Sequence, residues 1–294
     1  MNVLDSSNNF LAIRNPRYCE YATSQCVIQQ LPYEYSSSFG QGSKFGPEAI
    51  VSASHYVEYY DIELNTECYK KIGIASLKPS TYPDDSPEKL MQLIADDVKG
   101  LLDDKKFVVS FGAEHSLSYG VIKAFKAQFP DIGVLQLDAH SDLREKYEGS
   151  IWSHACVMKR VHELNVHISQ VGVRAQSAEE ALYMKSQPNI HCWYDKDLHK
   201  NDLWMDEVVS RLPKQLYISI DADGFNADVC PSVGTAEPGG LGWYQSLKLL
   251  RKVFESCDVK GFDIVELNPR SYEDRTAYNM AQLAYKLVNY KFEL

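Results

Sequence analysis

The feature that most restricts the fold is a recurring pair of segments: a short, almost wholly apolar run, then a longer stretch of helical periodicity. Runs at 107–111, 132–137, 168–173, 190–194, 216–220 and 261–267 place apolar residues on both alternate sets instead of switching between apolar and polar. Strands of that kind are buried on both faces, as parallel strands between helices are. A further short strand is expected at 72–77, followed by a turn-rich stretch at 79–85. Helical patterns are expected at 86–102, 116–129, 157–164, 178–185, 204–212, 244–256 and 272–289. The first of these opens on Ser86-Pro87-Glu88 and repeats apolar residues at Leu90, Leu93, Ile94, Val98 and Leu101, a capped start followed by a helical stripe. A short helix at 48–55 follows Gly46-Pro47, where proline suits the first helical turn. Residues 1–30 signal weakly, with an apolar patch at 26–28. Strand and helix therefore alternate from about residue 70 onward. The expected fold is α/β, with a doubly wound, mostly parallel sheet and helices on both sides. No composition shift, long linker or repeat divides the chain, so residues 1–294 are read as one domain.

Composition narrows the function classes. A formal net charge of −10 argues against nucleic acid or an anionic membrane as the main partner and suits a cationic ligand. No run approaches the length of a membrane span, and no basic-then-apolar leader opens the chain. Seven cysteines, odd in number and without a Cys-x-x-Cys pair, read as reduced thiols of a cytoplasmic protein.

In open parallel sheets, ligands bind outside the carboxyl ends of the strands. The run at 132–137 ends in Asp138-Ala-His-Ser-Asp142, three potential ligands spaced two apart. On an extended segment, alternate residues face the same way. The run at 216–220 ends in Asp221 and Asp223, and the run at 107–111 is followed by Glu114 and His115. Asp263 and Glu266 lie in the last strand segment. An isolated Asp-x-His-x-Asp is as often a polar loop as a metal site; three such strand ends in one chain shift the balance. His115, Asp138, His140, Asp142, Asp221 and Asp223 together offer four carboxylates and two imidazoles. Converging carboxylates repel one another unless cations neutralise them. Two divalent ions would do so, with a water shared between them as the natural nucleophile. The oxygen and nitrogen donors suit manganese, iron, nickel or zinc. The glycine-rich segment at 39–50 is no phosphate loop, because no Gly-Lys-Ser/Thr follows at the required spacing. It is either a surface connector or the lining of an entrance.

These segments resemble the ureohydrolases, the arginase and agmatinase family, over about residues 31–290. The resemblance rests on Gly112-Ala-Glu-His-Ser116, Asp138-Ala-His-Ser-Asp142, Ser153-His154, Ser219-Ile-Asp-Ala-Asp223, Gly234-Thr-Ala-Glu-Pro-Gly-Gly240 and Asp263-Ile-Val-Glu266. It implies an arginase-like three-layer αβα sandwich with two Mn(2+) per subunit. His115, Asp138, Asp142 and Asp221 would take one ion. Asp138, His140, Asp221 and Asp223 would take the other, so that Asp138 and Asp221 bridge. It further implies that Glu266 holds a guanidinium and that His154 shuttles a proton, both touching substrate, in a homo-oligomer (a trimer or hexamer). The chemistry is coherent. A carboxylate matches a planar guanidinium bidentately, a carboxylate such as Asp142 can pass a proton, and a histidine near its ordinary pKa can relay one to a leaving amine.

Some positions depart from the family pattern. Asn226-Ala227 replaces a usual Asp-Pro, Ala155 a common Gly and Ala236 a common Pro, and none of these removes a ligand. Arginases recognise the α-amino and α-carboxylate groups through an Asn and an Asp whose positions here hold Arg144 and Ser177. Tyr147-Glu-Gly-Ser150 and Glu237-Pro-Gly-Gly240 look more like agmatinases. The expected reaction is therefore hydrolysis of a small cationic guanidino compound, agmatine, to putrescine and urea. Guanidinobutyrate, aminopropylated agmatine, arginine and formiminoglutamate are the competing substrates, with Arg144 and Arg174 as candidate holders of a carboxylate. A metal-stabilised scaffold or regulatory protein without turnover is the alternative from another class.

Overall fold

The computed structural model describes residues 2–83, 86–271, 273 and 275–294. Its strands are β1 (Cys26–Leu31), β2 (Ile74–Ser76), β3 (Phe107–Gly112), β4 (Gly133–Leu137), β5 (His167–Val173), β6 (Ile190–Tyr194), β7 (Gln215–Asp221) and β8 (Asp258–Val265). They form one parallel sheet in the order β2-β1-β3-β8-β7-β4-β5-β6. The doubly wound α/β architecture expected from the apolar runs is thus present, and every strand pairing is parallel.

Local chemistry sets the helices. Helix Pro87–Asp103 starts where the Ser86 hydroxyl accepts the Lys89 amide, with proline in the first turn, and it buries Leu90, Ile94, Val98 and Leu101. Helix Ala178–Ser186 starts on a capping box formed by Ser177 and Glu180. One apolar cluster joins residues of helices Gly46–Ala53, Leu203–Arg211, Trp243–Ser256 and Arg275–Glu293 to Leu135, Leu137, Ile218 and Ile220 of the sheet. The other joins helices Pro87–Asp103, Ser118–Gln128, Val157–His162 and Ala178–Ser186 to Val134 and Tyr217. Neighbouring strand residues thus enter opposite clusters, giving three layers. No helix of the described residues is long and apolar enough to cross a membrane.

Three expectations need correction or delimiting. The weak patch at 26–28 is part of β1, a strand inside the sheet between β2 and β3. Gln29 and Gln30 interrupt its apolar pattern, yet both are buried: Gln29 accepts the Ser110 hydroxyl and Gln30 donates to the Leu77 carbonyl. The strand expected at 72–77 is shorter, because a helical turn, Tyr69–Ile72, precedes β2. Tyr272, where the last helix was expected to begin, and Asp84 and Asp85 of the turn-rich stretch lie outside the described residues.

The strand register aligns a polar row across the sheet. Gln29 pairs with Ser110, Ser110 with Asp263, Asp263 with Ser219, Ser219 with Gln136, and Gln136 with Gln170. All six residues are buried. Hydrogen bonds run along the row from Ser110 to Gln29, Ser219 to Asp263 and Gln170 to Gln136.

The strand order also places the cleft. The chain leaves β3 and returns at β4 three strand positions away, with β8 and β7 filling the gap. Winding reverses here, and such a switch point opens a crevice at the carboxyl ends of the strands.

Candidate metal and substrate site

Each of the four strands around the switch point delivers part of the cluster. His115 follows β3, Asp138, His140 and Asp142 follow β4, Asp221 ends β7, with Asp223 two residues beyond, and Glu266 comes directly after β8. Glycine permits the close approach of two of these segments, since a Cβ on Gly224 would stand 2.8 Å from the Asp138 nitrogen. Asp142 and Glu266 adopt left-handed backbone, with φ of 52° and 62°. Such strain costs about 1 kcal/mol or more per residue and gathers at functional sites. At Asp142 the neighbours supply the compensation. Glu180, buried, accepts both the Ser141 hydroxyl (2.9 Å) and the Leu143 amide (3.0 Å).

The ligand atoms fall into two groups. His115, Asp138 and Asp142 form one, and Asp138, His140 and Asp223 the other. His115 Nδ1 lies 3.1 Å from Asp138 Oδ2, 3.1 Å from Asp142 Oδ2 and 3.4 Å from Asp221 Oδ2. His140 Nδ1 lies 3.0 Å from Asp223 Oδ2 and 3.6 Å from Asp138 Oδ1. Asp138 therefore turns one oxygen to each histidine. The second nitrogen of His115 is hydrogen-bonded, and that of His140 faces a carboxylate beyond hydrogen-bond reach. His115 Nε2 meets Ser219 Oγ at 2.9 Å, and that hydroxyl donates to Asp263, which also accepts from Tyr217. His140 Nε2 faces Glu237 at 3.9 Å. Because Ser219 gives its one proton to Asp263, it accepts from His115 Nε2, so the neutral imidazole turns its Nδ1 lone pair toward the carboxylates.

That lone pair is the test of fit for a metal. His115 Nδ1 is buried and makes no hydrogen bond of acceptable geometry, although three carboxylate oxygens surround it. A cation in that space is the partner these donors fit. The electrostatics agree. Burial, then repulsion from Asp223 and Asp138, pushes the Asp221 carboxyl well up. Burial and Asp138 raise Asp142 to about 7. Burial and Glu114 push Glu266 well up. Against burial, Asp138 and Asp223 push the His140 imidazole up to about 12, and the histidines hold Asp138 below the usual carboxylate range. Without cations, this is a cluster of carboxylates held in mutual repulsion.

Above the cluster lies a cavity of about 430 Å³. His154 and Glu266 line it, as do Arg144, Tyr147, Glu237 and Phe39. All eight residues singled out as metal ligands or catalytic groups thus meet at one place. The glycine-rich segment contributes lining through Phe39 and Gly40, so it is part of an entrance. Arg174 is corrected as a carboxylate holder, since its guanidinium donates to main-chain carbonyls, among them Asp223 (2.7 Å) and Glu237 (3.0 Å). Ser177 is occupied as a helix cap. Asn226, in place of the usual Asp, still closes its turn, with its side chain accepting the Val229 amide. Sequence reasoning missed Ser36, Glu180 and Ser219, and gave Glu114 no task. Glu114 stood next to a ligand histidine, but the partners of the others are far away in sequence.

Imidazoles and carboxylates grouped in this way at the switch point of a parallel sheet define an α/β protein with a cluster suited to hold metal. The arginase family model matches residues 24–289. The chain belongs to the arginase family of ureohydrolase enzymes. An N(1)-aminopropylagmatine ureohydrolase of Synechocystis is 36% identical over 276 residues, covering 92% of this chain and 90% of the relative. An agmatinase of Pyrococcus horikoshii is 31% identical, covering 89% and 90%. The crystal structure of an agmatine ureohydrolase of Thermoplasma volcanium superposes with a TM-score of 0.81 at 27% identity, covering 93% and 92%.

Proposed function

We propose that the protein hydrolyses an alkylguanidine bearing a second amine and no carboxylate, releasing urea, with agmatine giving putrescine as the leading case. The observation that carries this is the pair of ligand groups sharing Asp138 beneath a cavity that also holds Glu266 and His154. His115, Asp138, Asp142 and Asp221 would hold one divalent ion, and Asp138, His140, Asp221 and Asp223 a second. Manganese is the proposed metal. Two such ions supply a water acidic enough to serve as nucleophile near neutral pH.

The chain's own residues do the rest. Glu266, oriented by accepting the His115 amide at 2.7 Å, pairs with the planar guanidinium and holds its carbon over the floor. Asp142 is the carboxylate placed to take up a proton and pass it on. Burial holds His154 below the usual histidine range, so it is neutral near pH 7. In that form it accepts a proton and then hands it to the departing amine. The occupation of Arg174 and Ser177 elsewhere disfavours an amino-acid substrate. Half-buried Glu237 at the rim, together with the chain's negative charge, favours a distal cation. A second reading, aminopropylated agmatine, is favoured by the 36% identity to the Synechocystis relative. Among the described residues one sheet carries the cluster, which supports a single working domain; a cytoplasmic homo-oligomer is proposed from the family resemblance alone.

Urea release by the manganese-loaded protein, measured against agmatine, aminopropylagmatine, guanidinobutyrate and arginine, tests the proposal. Release from the first two is expected. Release from arginine alone overturns the substrate, and silence with all four favours the non-catalytic scaffold.

A further inference from the structure

Ser36 belongs to the loop leading into the cavity wall, and its hydroxyl joins two groups far away in sequence. It donates to Glu114 Oε1 at 3.0 Å, lies 3.1 Å from His154 Nδ1, and accepts the His154 main-chain N–H at 2.9 Å. Glu114 is fully buried and also accepts the amides of Tyr35 (2.8 Å) and Ser36 (2.6 Å) and the hydroxyl of Ser116.

A hydroxyl has one proton and two acceptor positions. The proton of Ser36 goes to Glu114, where a bond to a carboxylate is the stronger choice. One acceptor position takes the His154 amide. The remaining contact, to His154 Nδ1, is satisfied only if Nδ1 carries the ring proton. We propose that Ser36, held by Glu114, fixes neutral His154 as its Nδ1–H tautomer and leaves the lone pair of Nε2 facing the substrate. Ser36 and Glu114 are positioning residues, acting through His154.

Three observations support the assignment. His154 lines the cavity, and among the described residues its Nε2 has no hydrogen-bond partner. Ser153 Oγ could donate to Nδ1 and fix the opposite tautomer, but it is farther away, at 3.4 Å. The Tyr147 ring meets the imidazole edge-on at 5.9 Å, which restrains rotation of the ring about its axis. The same short loop then supplies Ser37, Ser38, Phe39 and Gly40 to the cavity wall. Seating that loop and setting the histidine are therefore one event. The inference rests on the proposed role of His154 but is tested separately from it.

Nitrogen NMR of ¹⁵N-histidine-labelled protein, metal-free and loaded with diamagnetic Mg(2+), reads the tautomer directly. The expected spectrum has Nδ1 of His154 as the protonated nitrogen and Nε2 as the bare one. In S36A the two forms should mix, with kcat on the best guanidine lowered about tenfold and KM within about twofold, while S36T restores the parent values. A wild-type spectrum with Nε2 protonated overturns the tautomer. An unchanged kcat in S36A overturns the positioning role. If S36A does not fold, the wild-type spectrum still decides the tautomer. A wild-type protein that releases no urea defeats the proposed function, while the spectrum continues to judge this assignment.

Discussion

At the floor of the cavity, His115 and Asp138 are each 1% exposed, and each ligand segment continues directly from a strand end. At the rim, Phe39 is 84% exposed, and Arg144, Tyr147 and Glu237 lie on connecting loops. The floor is a set of buried carboxylates that repel one another and are offset by the imidazoles and, on the proposed reading, by cations, so removing one unbalances the rest. The rim is half solvated, and its ion pairs are weak. On the proposed reading, chemistry is set where the sheet fixes the side chains, and substrate choice falls to rim groups whose replacement should barely disturb the fold.

The largest expected effect is at the floor. Asp221→Ala should lower urea release on the order of 10³-fold or more and reduce bound metal measured by elemental analysis. Full activity with unchanged metal content would break the two-ion floor. Metal removal should act next, through stability. Asp142, raised to about 7, and Asp221 and Glu266, pushed well up, bind protons more tightly folded than unfolded. Their contribution is therefore complete below the unfolded carboxylate range and is lost as pH rises, through about 7 for Asp142. His115 and His140, also pushed up, add the same sign above the ordinary histidine range. After chelation, Tm should fall by about 5 °C or more between mildly acidic and mildly alkaline buffer, and restored Mn(2+) should flatten the slope. A metal-free Tm that climbs over this interval would contradict the picture of unneutralised carboxylates. The smallest effect belongs to the rim. Arg144 stands 3.7 Å from Glu180 and its ring neighbour is Tyr147. Arg144→Ala should change Tm little, by about 0.5 kcal/mol in stability, and leave kcat on agmatine within about threefold. A collapse of either would move Arg144 from rim to floor.

The same division governs what was legible in the sequence. Asp138, His140 and Asp142, and likewise Asp221 and Asp223, could be grouped from their spacing at strand ends, but the extended geometry expected for them is not what unites them: β4 stops at Leu137, Asp142 has left-handed backbone and Asp223 lies in a 3-10 turn. Helix Pro87–Asp103 was legible from its cap and stripe. β1 was not, because the partners that satisfy Gln29 and Gln30 lie 81 and 47 residues away. Ser36 sits in a run of serines with nothing to mark it, and its histidine is 118 residues distant. Arg174 misled for a related reason. A guanidinium near a cleft suggests an anion, and only the folded chain reveals the carbonyls that occupy it.

The buried polar row from Gln29 to Gln170 has a consequence for how the chain finds its native pairing. In five of its six strands the aligned neighbour one residue on, Phe111, Ile264, Ile220, Leu137 or Val171, is apolar and points the other way, the exception being Gln30. A slip of one position by β3, β8, β7 or β4 would drive a hydrocarbon side chain into the row and leave amides and hydroxyls stranded in hydrocarbon. The row also touches the ligands, through Ser219 to His115 and Gln136 to Asp138. Misaligned sheets are thus disfavoured by the same groups that orient the candidate metal donors, so correct register and the geometry of the proposed site are set together.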